Sequence, residues 1–441
     1  MAVWFNTSNF PKTEVGSEKF RTPVQTLENL EMKKTLVAIA ALAATGAFAQ
    51  SSVTLTGRAS MDYSTYQATG ATAGAAYDLK NRSRIADTGS RIGFGATEDL
   101  GGGMRAGVYC ETGYNIDTAT ANGQAATANV NTSEFCSREG RAFIGQGDYE
   151  LRLGRQNVWW TQGALNEVGS TYLGSDSLTN LINGGVGVYG VRVENMLKLA
   201  VTGGQFAGSE AYYGIMTTQE AAGATTLASG ANNTGTVKTD PRGTYQGFKL
   251  SYTAGNIVGM VDYQSSKDAA SVAASSTVAG TNSFDRSATK LGIAYKYNPT
   301  SLVSFQTWNK KRTDATTAGA TYVSSFNNAL NTTAAGDAKD SGYGIVVKHD
   351  LGGGWMAHGQ YAKVGNIKGT SAGEQADTGA KAYTLGATKA FSKRTHVYGA
   401  YHVITNQANA NYNMVGGSYQ SAVSANGADV KVLAVGMIHN F

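Results

Sequence analysis

The sequence is short of charge, of proline and of long apolar runs, and these shortages exclude two common classes of protein. Charged residues make up 15% of the chain, well below the roughly 25% that is usual in soluble domains. There are 4 prolines, beside 56 glycines and 23 tyrosines in 441 residues. Mean hydropathy is −0.24, and the long apolar run at 35–49 is shorter than the ~20 residues of a transmembrane helix. The composition argues against a helical enzyme and against a bundle of membrane helices, and it suits many strands joined by turns.

Segments with a period of two recur along the chain. From Val53 to Tyr63 apolar residues alternate with polar ones, so that Leu55 and Met61 share one face and Arg58 and Asp62 share the other. This pattern is typical of a transmembrane barrel strand, apolar outside and polar inside. A soluble sandwich that buries its apolar face has the same pattern, so alternation alone leaves both open.

The N-terminal region predicts a secretory signal peptide. Its basic n-region, apolar h-region and A-x-A cleavage site lie at residues 32–34, 35–45 and 47–49. We therefore expect residues 32–49 to be removed and residues 50–441 to form the mature protein. Residues 1–31 carry four acids, unlike an n-region. We interpret them as an upstream in-frame start, and the alternative is a true N-terminal extension.

Sixteen amphipathic segments can be counted from Val53 to Phe441, most of them about ten residues long, as a tilted membrane strand requires. The seventh and eighth are predicted at 186–194 and 196–208. Short turns alternate with long polar connections, at 67–89, 116–135, 157–185, 209–243, 268–284, 313–341, 367–380 and 406–428. An even number places both termini on the short-turn side, and the last strand can then pair with the first. The signal peptide and the terminal Phe441 favour this barrel over a sandwich.

Motifs along the mature chain carry a family resemblance. They are S-S-V-T-L-T-G at 51–57, G-S-R-I-G-F at 89–94, T-E-D-L-G-G-G at 97–103, R-A-F-I-G at 141–145, L-G-R-Q at 153–156, S-K-R-T at 392–395 and H-N-F at 439–441. The set resembles the Gram-negative general porins, nearest the branch common in beta-proteobacteria. The resemblance implies an all-β, sixteen-stranded antiparallel transmembrane β-barrel in the outer membrane. It further implies a homotrimer and a third long loop that folds inward to narrow the pore.

The resemblance also implies a charged pore constriction. The third long loop, 157–185, would contribute the acids Glu167 and Asp176. Strand parity points five arginines into the lumen, namely Arg58, Arg91, Arg105, Arg141 and Arg192, and places Glu111 with them. Of these, Arg91, Arg141 and Arg192 match the family motifs best. Ser60 stands where the family commonly carries Asp, which removes one lumen anion.

Fixed guanidinium charges in a low-dielectric wall raise the local concentration of anions and repel cations. The expected function is therefore passive diffusion of small hydrophilic solutes and ions, with a preference for anions. The alternative for the arginines is that they solvate the lumen or pair with Glu111 and Glu194. The alternatives for the protein are a substrate-specific channel or surface adhesin of the same architecture, and a barrel enzyme. We expect no enzymatic activity, cofactor or metal.

Two further predictions concern the pair of cysteines and the last residue of the sequence. Cys110 and Cys136 fall on the outward parity of neighbouring strands, and in an oxidising compartment we expect them to form a disulfide bond; free buried thiols are the alternative. Phe441 matches the C-terminal assembly signal of outer-membrane barrels. The expected partners are two further copies of the chain, outer-membrane lipid and lipopolysaccharide, the barrel-assembly machinery, and small anionic or neutral solutes, but no nucleic acid.

Overall fold

The computed structural model describes residues 52–117, 135–158, 173, 177–183, 192–215, 244–267, 284–314, 337–369, 373–414 and 425–441. The predicted signal peptide at 32–49, residues 1–31 before it, and the loop acids Glu167 and Asp176 lie outside these residues. Besides strands, the described part contains a 3₁₀ turn at Ala75–Tyr77 and an α-helix, α1, at Ser177–Asn183. No helix in these ranges is long and apolar enough to cross a membrane.

The described strands pair antiparallel in one sheet. In chain order they are β1 (Ser52–Thr69), β2 (Leu79–Asp87), β3 (Arg91–Gly101), β4 (Met104–Gly113), β5 (Glu139–Gln146), β6 (Tyr149–Asn157), β7 (Arg192–Val201), β8 (Glu210–Ile215), β9 (Thr244–Ala254), β10 (Ile257–Lys267), β11 (Phe284–Lys296), β12 (Leu302–Asp314), β13 (Ala338–Gly352), β14 (Trp355–Val364), β15 (Lys368–Gly369), β16 (Gly373–Glu374), β17 (Ala380–Ala390), β18 (Thr395–Asn406) and β19 (Asp429–Asn440).

The sheet closes on itself through its first and last strands. β1 pairs with β19 from Arg58–Asn440 to Thr69–Asp429. On its other side β1 pairs first with β3 and then with β2, so β2 and β3 together form one barrel strand that is interrupted at 88–90. β15 and β16 form a small hairpin attached to β13. The described strands therefore make a barrel of sixteen strands, which confirms the predicted sixteen-stranded antiparallel barrel, and its closure leaves no open edge among them.

The expected loop at 67–89 is wrong in part. β1 continues to Thr69, and β2 occupies 79–87 inside that range, paired with β1 from Met61–Asp87 to Ala68–Leu79. The sequence of β2, L-K-N-R-S-R-I-A-D, is too polar to read as a membrane strand. Ladder hydrogen bonds between backbones need no apolar face, so a barrel wall can extend past the apolar band on polar residues.

The expected hairpin around Asn195 is also wrong. Instead of strands at 186–194 and 196–208, one strand, β7, runs through Asn195, and the turn falls at 202–209 before β8. Asn195 adopts a left-handed backbone conformation, with φ 47°. The register between β6 and β7 shifts at this point, so the conformation is absorbed in a β-bulge.

The two faces of the wall differ in the way the alternation predicts for most strands. On β19 the side chains of Leu433, Val435 and Met437 face outward and stay exposed. On β1 the opposite parity buries Arg58 and Asp62 on the lumen side. The barrel therefore carries an apolar outer band and charged groups inside.

Part of the inner wall is apolar rather than polar, because α1 lies against it. Leu173, Leu178, Leu181 and Ile182 are fully buried, and they share one core with lumen-facing Val346, Ala362, Ala382, Ala400 and Val432 of the surrounding strands. A Cβ added at Gly344 would meet the Leu178 side chain, and Lys310 Nζ donates a hydrogen bond to Ile182 O at 2.8 Å. The described part of 157–185 thus lies inside the barrel, as predicted for the third long loop.

Candidate pore constriction

Among the described residues, six arginines gather on the lumen side near the long-connection ends of β3–β7. They are Arg58, Arg91, Arg138, Arg141, Arg155 and Arg192. Strand alternation explains why Arg58, Arg91 and Arg141 share one face. Arg138 precedes β5, and Arg155 lies where the register between β6 and β7 shifts. Arg58 and Arg91 are direct register partners, and Arg192 lies opposite Asn157. We call these six side chains the arginine cluster.

Glu111 on β4 is the carboxylate at the centre of the cluster. Its Oε1 lies 2.6 Å from Nε of Arg138, and its Oε2 lies 3.3 Å from Nε of Arg91. The Tyr109 hydroxyl donates to Oε2 at 3.3 Å. Glu111 therefore joins a residue of β3 to one that precedes β5, and it fixes both guanidinium groups by charge-assisted bonds.

Two further carboxylates pair with the rim of the cluster. Glu139 accepts from Arg141 and from the Asn157 amide, and the Arg141 guanidinium also stacks 4.5 Å above the Tyr109 ring. Glu194 pairs with Arg155 at 2.5 Å. Arg192 interacts electrostatically with Glu111 and Glu139. Three carboxylates thus pair directly with four of the six guanidinium groups, and Asp87 interacts electrostatically with Arg58. Among the described residues, the guanidinium groups of the cluster outnumber these carboxylates.

Arg105 does not join this cluster. It lies beside the short turn between β5 and β6, where its guanidinium bonds Glu150 Oε1 at 2.9 Å and Gly147 O at 2.8 Å. Arg152 pairs with the same Glu150 at 2.6 Å. Six residues of β4 separate Arg105 from Glu111, about 20 Å along the strand. Arg105 therefore lies outside the arginine cluster, and its place in the constriction stays a prediction.

Three lysines on the lumen side of β7, β9 and β11 lie beside carboxylates. Lys198 and Lys249 both contact Glu210, at 2.8 and 3.9 Å, and Lys290 contacts Asp262 at 3.9 Å. Each of these three lysines therefore has a carboxylate beside it, and three ammonium groups face two carboxylates.

Three members of the site were not among the sequence predictions, namely Arg138, Glu139 and Arg155. Glu139 and Arg155 sit within or beside motifs that were recognised, R-A-F-I-G and L-G-R-Q, and inward parity could have identified Glu139. Arg138 precedes the first residue of β5, so no strand parity applied to it. Glu167 and Asp176, predicted to face the arginines, lie outside the described residues and remain predictions.

The two cysteines form a disulfide bond in the structure, with Cα atoms 4.7 Å apart. Cys110 has the outward parity of Val108 on β4, opposite in direction to Glu111. Next to the bond, Phe135 stacks on Phe94 with ring centroids 5.4 Å apart, and Phe135 is highly exposed. The bond therefore lies on the outer face of the wall, directly behind the arginine cluster.

The terminal Phe441 seals the seam between β1 and β19. Its N–H donates to Gly57 O at 3.0 Å and its carbonyl accepts from Gly57 N–H at 2.9 Å. The ring covers the outward side of Gly57, in space that a Cβ at this position would occupy. Glycine therefore accommodates the terminal ring on the outer surface.

A closed barrel with an apolar outer band, an inward-folded helix and a charged lumen defines a membrane-spanning channel scaffold. The chain belongs to the Gram-negative porin family, whose model matches residues 35–411. This membership and the outer-membrane relatives place the protein in the outer membrane of a Gram-negative bacterium.

Curated relatives match one part of the chain. The chain is 44% identical over 93 residues to outer membrane porin protein 32 of Delftia acidovorans, which is 21% of this chain and 25% of that protein. It is 40% identical over 85 residues to the major outer membrane protein P.IB of Neisseria gonorrhoeae, 19% of this chain and 24% of that protein. The chain thus matches about a quarter of the length of these relatives.

Solved structures resemble the whole barrel. The anion-selective porin from Comamonas acidovorans superposes with a TM-score of 0.59 at 21% identity, covering 89% of this chain and 100% of that one. A trimer form of OmpT from Vibrio cholerae gives 0.57 at 11% identity, covering 89% and 99%. At these identities the likeness shows the shared fold.

Proposed function

We propose that this protein is a passive, water-filled channel for small hydrophilic solutes and ions, and that it prefers anions. The observation that supports the preference is the arginine cluster, in which six guanidinium groups meet three directly paired carboxylates. Because a lumen bounded by a low-dielectric wall focuses the field of fixed charges, this excess raises the local concentration of anions. The solved anion-selective porin of the same fold is consistent with this reading.

The preference can be tested with a triple variant in which Arg91, Arg141 and Arg192 are each replaced by Gln. We expect the reversal potential in a KCl gradient to move toward cation permeation, because three of the six positive charges of the cluster are then removed. Single-channel conductance of the refolded protein first establishes that it forms an open pore. An unchanged reversal potential would contradict the arginine argument. Conductance that saturates with one solute would instead favour a substrate-specific channel. Absence of conductance would favour an adhesin or an enzyme.

The proposed assembly is a homotrimer in contact with outer-membrane lipid and lipopolysaccharide. It is supported by the apolar outer band of β1 and β19 and by the trimer form of a structural relative. Phe441, at the end of an outward apolar row, is proposed as the signal read by the barrel-assembly machinery. We propose no enzymatic activity, because porins are channel proteins.

A further inference from the structure

We propose that Arg138 is a selectivity-determining residue of the constriction, and that the Cys110–Cys136 disulfide positions it from the opposite side of the wall. The proposal rests on the anion-channel function proposed above. It adds a residue that the sequence motifs do not contain and assigns a role to a bond outside the lumen.

The first step is the geometry of strand alternation. Consecutive residues of a strand project to opposite faces, so Cys110 faces outward while Glu111 faces the lumen. Cys136 lies two residues before Arg138. A covalent bond on the outer face thus joins the residue next to Glu111 to the residue two positions before Arg138. Glu111 and Arg138 form an ion pair of 2.6 Å on the inner face.

The second step is the set of contacts that hold this stretch. Arg138 precedes β5, whose ladder begins at Glu139. Its backbone N–H donates to Glu111 O at 2.9 Å, and the N–H of Cys136 donates to Thr112 Oγ1 at 2.9 Å. Cys136 has φ 64°, a left-handed conformation that is uncommon for residues other than glycine and persists where surrounding contacts hold it. The disulfide is one of those contacts.

The third step is the reach of Arg138 within the cluster. Its guanidinium interacts electrostatically with Arg58, Arg91 and Arg192, and it pairs with Glu111. A displacement of Arg138 would therefore change the field at several strands and release one bond of the central carboxylate. The Ser137 carbonyl, which accepts from Arg155 Nε at 2.8 Å, would move with it.

The experiment is a double-mutant cycle on the reversal potential. It compares the parent protein, Arg138→Gln, the Cys110→Ala/Cys136→Ala double variant, and their combination, each checked for a folded, heat-modifiable barrel. We expect Arg138→Gln to lower the chloride-to-potassium permeability ratio about fivefold. The cysteine variant should shift it partway in the same direction. In the Arg138→Gln background it should add nothing, because it acts through Arg138.

Two further variants protect the test. Thr112→Val removes the hydrogen bond to Cys136 without touching the disulfide, and it should reproduce part of the shift even if the cysteine variant fails to fold. Arg138→Lys retains the charge and should retain most of the anion preference. An equal cysteine effect with and without Arg138, or no effect of either the cysteine or the Thr112 change, overturns the positioning role. If no arginine variant changes the ratio, the proposed channel selectivity itself fails.

Discussion

Replacing Glu111 by Gln should increase the anion preference of the channel. Glu111 is the carboxylate that pairs with both Arg91 and Arg138, and the isosteric amide removes its charge while keeping its size. The net charge of the cluster then rises by one. The direction is informative, because nonspecific damage to a pore weakens selectivity rather than strengthening it.

The magnitude follows from Coulomb's law. An ion that passes about 5 Å from a unit charge in water feels about 0.8 kcal/mol, and screening in 0.1 M salt reduces this to about 0.5 kcal/mol. Removing the negative charge lowers the energy of a passing anion by this amount and raises the energy of a passing cation by the same amount. The difference between the two ions changes by about 1 kcal/mol, which corresponds to about a fivefold change in the permeability ratio. We therefore expect the ratio of chloride to potassium permeability to rise about fivefold.

Arg105→Gln is the matched control, since Arg105 has the same lumen parity but pairs with Glu150 beside the short turn. At about 20 Å from Glu111, roughly two Debye lengths, its influence on the constriction is about a tenth of that of a cluster residue or less. Reversal potentials in a KCl gradient measure both variants. A fall in anion preference for Glu111→Gln, or an equal change for Arg105→Gln, would refute the location of the selectivity site.

Two other predictions concern packing. Gly57→Ala places a Cβ in the space of the Phe441 ring; we expect a loss of about 1 kcal/mol in unfolding free energy, measured by heat-modifiability, and an unchanged midpoint would show that the ring seals nothing. Gly344→Leu collides with Leu178 on the inner wall and should push α1 toward the pore axis; single-channel conductance should fall, whereas Gly359→Ala, with its nearest contact at 3.9 Å, should leave it unchanged.

Sequence alternation predicted the amphipathic strands and the inward direction of the lumen charges because both are local properties. The closed barrel was predicted only with the help of the signal peptide, Phe441 and the family resemblance. Arg58 and Arg91 face the lumen as counted, since a period of two holds along any regular strand. Depth was not predictable in the same way. Arg105 has the same parity but lies beside the short turn, because depth depends on where each turn falls.

The rest of the site depends on contacts between distant segments. Arg138 joins the cluster from an irregular stretch, which has no period to read. On the lumen face of β14 and β17, Ala362 and Ala382 belong to the apolar core in which α1 packs. Nothing within these strands indicates that partner, which comes from a part of the chain about two hundred residues away.

The pairing of β1 with β19 has a consequence for the order of folding. The strand that completes the barrel contains residues 429–440, and its partner begins at residue 52. Until β19 pairs with both of its neighbours, β1 and β18 each present an unpaired edge, and such edges aggregate readily. Loop closure over almost the whole chain is also the slowest kind of contact to form. The unclosed barrel therefore depends on being kept apart from its own copies until β19 pairs with both β1 and β18, which removes both edges in a single step.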